Sequence, residues 1–191
     1  MTHFELAREA RNLLHRYLTV FPEETAHLSR LSAQLELPQD CFVRSNMVGH
    51  VTTSAAVLNP RLTHILLIHH KFLNRWLPPG GHFELPGNFW DSACREVDEE
   101  TAVKQLQLHA WCVTHGIPLD IDTHGVPENP KKGEGPHLHH DLRYLAVASD
   151  DEPLVPQLAE VYDVRWAPVA ELYQTDDRRL MTLARKLQQV L

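Results

Sequence analysis

Three glutamates stand close together in the run Arg95-Glu96-Val97-Asp98-Glu99-Glu100. Glu99 and Glu100 follow Glu96 at positions i+3 and i+4, so a helix would place all three carboxylates along one face. Like charges at these spacings repel one another, and a hard divalent cation such as Mg²⁺, which prefers oxygen ligands, would remove that repulsion. The spacing therefore indicates a metal site, and the alternative interpretation is a solvated acidic helix face.

A pair of glycines upstream of the glutamates favours the metal site. Gly80 and Gly81 follow Leu77-Pro78-Pro79, a combination that breaks regular structure. Because glycine has no Cβ, backbone carbonyls and amides at such a turn can approach a ligand closely. The acidic run and the glycine turn together favour a ligand site over a solvated face.

These residues resemble the signature of the Nudix hydrolase family, the Nudix box. Seven positions match it in residue type and spacing, namely Gly81, Arg95, Glu96, Val97, Glu99, Glu100 and Val103. Trp76 before the glycine turn and Trp166 within residues 161–172 are similar to segments that flank the box in the family. The resemblance implies an α/β fold, a Nudix-like α/β/α sandwich with a mixed sheet.

The resemblance also implies roles for the box residues. Glu99 and Glu100 would be the main metal ligands, Glu96 a further ligand or the base that activates water, and Gly81 a ligand through its backbone. Arg95 would orient the carboxylates, and the cofactor would be Mg²⁺ or Mn²⁺. A base outside the box is common in the family, which leaves three acidic candidates open: Glu128, Glu134 and Asp141.

By this resemblance, the protein is expected to be a hydrolase of diphosphate bonds. Its substrate would be a nucleoside diphosphate derivative or a similar small molecule. The alternative is a Nudix-like ligand-binding or regulatory module with weak catalysis, suggested by two departures from the box. Gly87 stands where the family has a glutamate that pairs with the box arginine, and Ala102 stands where it has a glycine.

Each departure has a local consequence that can be predicted. Arg95 needs another carboxylate partner, either Asp91 or Glu84, and helical i, i+4 spacing favours Asp91. If Ala102 keeps the positive φ that glycine adopts there, its Cβ costs about 1 kcal/mol. Neither change removes an expected metal ligand.

A second polar group lies in the later part of the chain. In a strand, His137, His139, Asp141 and Arg143 would share one face, and Asp120, Asp122 and His124 alternate in the same way upstream. The substrate pocket is predicted to include Lys131, Lys132, His137, His139 and Arg143, with the cationic residues contacting phosphate.

Two alternatives stay open for these histidines. They could be surface residues around a mobile loop, or they could hold a second metal, although their spacing follows no established zinc pattern. Five other histidines are interpreted as incidental: His69, His70, His82, His109 and His115.

The pattern of apolar residues predicts the elements that carry these groups. Two helices are expected within 2–36, a helix with Asn88 as its N-cap that runs to about Ala102, and a last helix over 176–191. Strands are expected at 51–58, 65–69, 82–85, 107–114, 139–149 and 161–166, and residues 115–136 read as a long irregular segment. We divide the chain into an N-terminal helical extension, residues 1–45, and a Nudix hydrolase domain, residues 46–191.

Composition limits the partners and the compartment. The formal net charge of -7 argues against a broad nucleic-acid or anionic-membrane surface, but not against a small phosphorylated substrate. Charged residues interrupt the apolar N-terminus, and the three cysteines form no CxxC pair. We therefore expect a cytoplasmic protein that acts on a small molecule, and a homodimeric assembly stays open.

Overall fold

The computed structural model describes residues 3–37, 40–130 and 132–191. Its helices are α1 His3–Val20, α2 Ser29–Leu35, α3 Phe89–Thr101, α4 Ala110–His115 and α5 Arg178–Val190, with short 3₁₀ segments at Pro22–Glu24 and Val169–Tyr173. None of the helices in these residues is long and apolar enough to cross a membrane.

Eight strands form one mixed sheet. They are β1 Gly49–Leu58, β2 His64–His70, β3 Arg75–Leu77, β4 Gly80–His82, β5 Gln107–Leu108, β6 Asp120–Val126, β7 His137–Val147 and β8 Val161–Pro168. The order along the main path is β3-β2-β1-β7-β5, while β4 pairs with β1, β6 with β7 and β8 with β2. Only β1 and β7 run parallel among these pairs, in a register that places His50 beside His139 and Ser54 beside Arg143.

The central strand β1 is buried along its whole length, and its two faces contact different helices. Ala55 and Val57 pack against Val97 of α3, whereas Ala56 and Leu58 pack against residues of α5. Helices therefore cover both faces of the sheet, which gives the α/β/α arrangement predicted from the sequence. The polar residues of β1 lie in its first half, next to the end of β7 that carries the histidines.

The ends of α3 follow from its sequence. Asn88 is the N-cap, as predicted, and its side chain accepts a hydrogen bond from the Asp91 backbone N–H at 2.8 Å. At the other end Ala102 adopts the left-handed conformation with φ of 64° and donates its N–H to Asp98 O. The alanine therefore keeps the geometry for which the family uses glycine, and the helix ends in the same way.

Three predicted elements are wrong. The strand expected at 82–85 overlaps β4, Gly80–His82, only at His82. Residues 107–114 form a two-residue strand and then helix α4, which His109 caps through its side chain, so most of that segment is not extended. The segment 115–136 is not irregular throughout, because 120–126 form β6 and pair antiparallel with β7. The alternation of Asp120, Asp122 and His124 lies within this strand, and most of the glycines and prolines that favoured an irregular segment lie outside it.

The N-terminal helices share a hydrophobic core with the sheet. Leu6, Leu14 and Tyr17 of α1 are buried in one cluster with Phe89 of α3 and Leu142 of β7. The boundary that we place between residues 45 and 46 stays a prediction, but the two sides of that boundary pack against each other.

A buried ammonium group also connects α5 to the N-terminal helices. Lys186 of α5 is 4% exposed and donates to the hydroxyl of Tyr17. Its Nζ also lies 2.6 Å from Glu24 Oε1 and 2.6 Å from Asp120 Oδ1. One side chain thus joins α5, the N-terminal extension and β6.

Candidate active site

A cleft of about 380 Å³ lies where the glycine turn, α3 and the polar ends of β1 and β7 meet. Its wall includes Thr52, Gly81, Glu96, Glu100, His139 and Asp141. The box residues and the polar face of β7, which are far apart in the sequence, therefore contribute to a single cavity. The parallel pairing of β1 with β7 produces this arrangement, because it aligns the polar first halves of both strands.

The three glutamates, here called the carboxylate cluster (Glu96, Glu99 and Glu100), project from one face of α3 into this cleft. Their exposure increases from Glu100, which is buried, through Glu96 to Glu99, which is half exposed. Glu100 Oε2 accepts a hydrogen bond of 2.9 Å from the Gly80 backbone N–H. The helix and β4 are therefore joined directly at the site.

Gly81 lies so close to Glu96 that no side chain fits between them. A Cβ added at Gly81 would overlap the Glu96 carboxylate, whereas a Cβ at Gly125 would meet nothing within 4 Å. The absence of a side chain at position 81 thus lets the backbone of β4 approach the carboxylate cluster.

Two members of the carboxylate cluster, Glu96 and Glu100, hold protons unusually tightly. Burial raises the pKa of Glu100 to about 8, and the nearby Glu96, Glu160 and Glu99 add to that increase. Burial likewise raises the pKa of Glu96 to about 7, with repulsion from Glu99 and Glu84 opposed by the attraction of Arg95. Ionising both groups therefore costs free energy that a bound cation would return.

Arg95 pairs most closely with Glu96 and Glu99, and of its two predicted partners Glu84 lies within ion-pair distance and Asp91 does not. Its guanidinium lies 2.8 Å from Glu96 Oε1 and 3.0 Å from Glu99 Oε2, and it donates to His82 O at 2.9 Å. The prediction of Asp91 is wrong, because the Asn88 side-chain amide holds the Asp91 carboxylate at the start of the helix. Glu84, the alternative, is 4.0 Å from the guanidinium.

The polar face of β7 forms a buried network rather than a loose surface. Arg143 donates to Asp120 at 2.8 Å, to Asp141 at 3.0 Å and to the Ser54 hydroxyl at 3.2 Å. Asp141 also accepts from the hydroxyl groups of Ser54 and Thr52. Asp141 and Arg143 share one face of β7, as predicted, and the predicted contact of Arg143 with phosphate stays a prediction.

Histidine side chains gather beside this network. The rings of His137 and His139 lie 5.0 Å apart, and both contact His50 of β1 at 4.8 Å. His82 lies against His50 and His139, and burial lowers its pKa to about 3, with nearby cationic groups adding to the decrease. Our interpretation of His82 as incidental is therefore wrong, because its ring lies in the cleft.

The predicted lysines have different outcomes. Lys132 lines the cleft and lies 3.0 Å from Glu160 Oε1, while Lys131 lies outside the described residues.

Three acidic residues outside the box were candidates for the base. Of these, Glu134 is paired with Arg44 at 2.6 Å, and Glu128 is exposed. Asp141 accepts hydrogen bonds in the network described above, so none of the three is a free carboxylate in the cleft wall.

Sequence reasoning missed His50 and Glu160. His50 is the second residue of β1, a strand of mostly apolar and small polar residues, and only the register with β7 places it beside His139. Glu160 ends a stretch with no periodic pattern, yet it lies in the cleft near Glu100. The family resemblance could not identify either residue, because both lie outside the box.

Comparisons with known proteins agree with this architecture. The family model described as NUDIX domain matches residues 49–186, well over half of the chain. The structure of an Ap4A hydrolase from C. elegans, solved as a binary complex, superimposes on this chain with a TM-score of 0.55 and 18% sequence identity. That match covers 73% of this chain and 96% of the other, and it supports the fold alone.

Two curated relatives are similar in sequence. A Lactococcus lactis subsp. cremoris protein named "Probable DHNTP pyrophosphohydrolase" is 30% identical over 116 residues, which is 61% of this chain and 66% of that protein. An m7GpppN-mRNA hydrolase from Xenopus laevis is 33% identical over 142 residues, 68% of this chain and 44% of that protein. The chain thus spans less than two thirds of the length of either relative.

Proposed function

Because the chain belongs to the Nudix family, we propose that it is a divalent-metal-dependent pyrophosphohydrolase. Its substrate would be a nucleoside diphosphate derivative or a similar small molecule with a diphosphate linkage. The observation that carries the proposal is the cleft in which Glu96, Glu99 and Glu100 meet the Gly80-Gly81 backbone. The names of the two relatives, a pyrophosphohydrolase and an m7GpppN-mRNA hydrolase, support the same class of reaction.

The donor atoms at this site suit Mg²⁺ or Mn²⁺. They are carboxylate and backbone oxygens, which hard divalent cations prefer. The raised pKa values of Glu96 and Glu100 reflect buried acidic groups with too little compensating charge, as expected where a cation belongs. Glu96, Glu99, Glu100 and the backbone of Gly81 would hold the ion. When bound, the ion supplies charge neutralisation and Lewis-acid polarisation of phosphate oxygens.

The protein's own groups would orient the substrate and move the proton. Arg95 fixes Glu96 and Glu99 through its two ion pairs, and this limits the number of rotamers these carboxylates can adopt. Glu96 would take one of two roles, a further ligand of the ion or the base that accepts a proton from the attacking water. Lys132, His139 and Arg143 line the cleft and would contact the substrate, while substrate contacts of Lys131 and His137 stay predictions from the sequence.

The alternative, a binding module without turnover, was suggested by two departures from the box, and both have little effect on the local structure. Ala102 keeps the backbone conformation of the glycine that it replaces. Arg95 retains carboxylate partners and the His82 carbonyl although Gly87 supplies no glutamate. The end of α3 is therefore preserved, and Arg95 still forms ion pairs with carboxylates, so we favour the enzyme.

Phosphate release from a panel of diphosphate compounds tests the proposal. The protein is incubated with Mg²⁺ and nucleoside triphosphates, dinucleoside polyphosphates and nucleotide sugars, and the phosphate freed by a coupling enzyme is measured. Glu99→Gln and Glu100→Gln should each lower turnover on the order of 10²-fold or more. The matched control is Glu23→Gln, an exposed glutamate on the N-terminal extension.

Two outcomes would contradict the proposal. Turnover that survives both Glu99→Gln and Glu100→Gln would remove the carboxylate cluster from the reaction. No turnover on any compound, together with an increase in melting temperature on ligand addition, would favour the binding module.

A further inference from the structure

A group of three histidines beside the cleft has the features of a metal site that the carboxylate cluster does not account for. This imidazole cluster consists of His50, His137 and His139, and one ring nitrogen of each lies within 4.8 Å of the others. His50 comes from β1 and the other two come from β7, where His139 is the register partner of His50. His50 is 1% exposed and His137 is 6% exposed.

Hydrogen bonds to the backbone determine where two of these rings carry their protons. His50 Nδ1 lies 3.1 Å from Asn46 O, and His137 Nδ1 lies 2.7 Å from Gly135 O. A carbonyl oxygen can only accept, so each Nδ1 carries the proton and donates it. In the neutral rings Nε2 then has a free lone pair.

Both of those Nε2 atoms point into the cluster. His50 Nε2 is buried and has no hydrogen-bond partner among the residues that the structure describes. His137 Nε2 accepts a hydrogen bond from His139 Nε2–H at 3.2 Å, a proton that a bound metal ion would replace. A buried nitrogen lone pair without a hydrogen-bond donor destabilises the folded protein. We therefore expect a bound metal ion or a hydrogen-bond donor beside it. An Nδ1–H bonded to a carbonyl, with Nε2 left free, is also how metal-binding histidines are usually held.

The spacing agrees with tetrahedral coordination. Nitrogens about 2.0–2.1 Å from a tetrahedral ion lie about 3.4 Å apart. The 3.2 Å between the Nε2 atoms of His137 and His139 is close to that edge length. The third nitrogen, within 4.8 Å, has to approach by about 1 Å.

We propose that the imidazole cluster binds a Zn²⁺-class transition-metal ion, separately from the Mg²⁺ site of the carboxylate cluster. Imidazole nitrogens suit Zn²⁺ and its neighbours in the first transition row, whereas carboxylate oxygens suit Mg²⁺ and Mn²⁺. The two sites therefore select different metals by their donor atoms. Three protein nitrogens leave a fourth position for water or another ligand, and His139 itself lines the cleft.

Metal retention in the presence of Mg²⁺ tests this proposal. The full-length protein without a histidine tag is stripped with a chelator, dialysed against Zn²⁺ in excess Mg²⁺, and its zinc content is measured by mass spectrometry. One equivalent of zinc should stay bound. His137→Gln and His139→Gln should each weaken binding at least about tenfold, and circular dichroism checks that the variants are folded.

Two matched variants separate the imidazole cluster from other sites. His15→Gln removes an exposed histidine on α1 and should leave zinc binding unchanged. Glu99→Gln should abolish turnover with Mg²⁺ but leave zinc retention intact, so failure of this proposal and failure of the proposed function give different results. Co²⁺ in place of Zn²⁺ adds a visible absorption spectrum typical of tetrahedral nitrogen coordination.

Three results would overturn the proposal. The first is no zinc retained by the native protein. The second is zinc retained equally by His137→Gln and His139→Gln. The third is zinc lost in Glu99→Gln, which would place the ion at the carboxylate cluster. Any of these would leave the histidines as a packed group of neutral rings.

Discussion

Opposing interactions determine the pKa of the Glu100 carboxyl group. The Gly80 N–H stabilises the carboxylate, while burial and the neighbouring glutamates destabilise it, and the second effect is larger because its pKa rises to about 8. The folded protein therefore binds more protons at this position than the unfolded chain does between pH values of about 4.3 and 8. The contribution of Glu100 to stability therefore falls as pH rises through that interval.

We predict this dependence in the metal-free protein. Between pH 6.5 and 8.5 the contribution of Glu100 to the free energy of unfolding should fall by about 1–2 kcal/mol. Urea denaturation in the presence of a chelator measures it, and Glu100→Gln should show a shallower dependence. Histidines with lowered pKa values, such as His82, are partly protonated in the unfolded chain near pH 6.5 and make stability rise with pH, but they contribute equally to both proteins, so the difference between the two curves isolates Glu100. Parallel curves for the two proteins would contradict the prediction.

A second prediction concerns the missing side chain at position 81. In Gly81→Ala the new Cβ overlaps the Glu96 carboxylate, so Mg²⁺ binding should weaken and the proposed turnover should fall about 10²-fold. Gly125→Ala is the control, because its Cβ meets nothing. Calorimetric titration with Mg²⁺ and turnover assays test both variants, and equal Mg²⁺ affinities would contradict the proposed crowding.

At the scale of elements, α3 is the segment whose sequence is most informative. Its cap and the glutamate face follow from the local sequence, because a helix depends mainly on neighbours three and four residues away. Its C-terminus is the exception. Ala102 stands at φ of 64°, a conformation that an alanine adopts only at a cost.

Ala102→Gly should therefore stabilise the protein. Removing the Cβ relieves the positive φ, and we expect a gain of about 1 kcal/mol in the free energy of unfolding. Ala33→Gly, at an exposed position inside α2, should lower it by a similar amount, since glycine is a poor helix former there. Thermal and urea denaturation measure both, and a loss of stability in Ala102→Gly would contradict the prediction.

The strands are less predictable because their partners are distant. The sequence predicts the alternation along β7, but it does not predict the partners of the polar residues on that strand. His50 meets His139 and Asp120 meets Arg143 only because β1, β6 and β7 pair in particular registers. Likewise, His109 begins a helix through its own side chain within a segment rich in strand-forming residues. The local sequence pattern does not identify which distant strand a given strand pairs with.

At the scale of the whole molecule, Lys186 connects parts of the chain that lie far apart. Its buried ammonium group contacts Tyr17, Glu24 and Asp120, and Asp120 in turn bonds Arg143. A chain of ionic contacts thus runs from the N-terminal extension to the cleft wall. Removing one member of a buried ion network leaves its partners without compensation, which is more costly than losing a surface pair.

Lys186→Met should therefore destabilise the protein by about 3 kcal/mol. Arg185→Met, on the exposed side of the same helix, should change stability by less than about 0.5 kcal/mol. Urea denaturation at neutral pH compares the two. Similar midpoints would show that the buried contacts of Lys186 contribute no more than a surface charge.

The hydrogen bond between the Gly80 N–H and Glu100 has a further consequence, for spectroscopy. The amide proton points at the most buried carboxylate of the site, so its magnetic environment depends on whether that carboxylate is protonated, ionised or shared with a cation. In an amide-resolved NMR spectrum, the Gly80 resonance is therefore expected to move with pH and again with Mg²⁺. A single backbone nucleus can report the charge state of the cleft without any substrate.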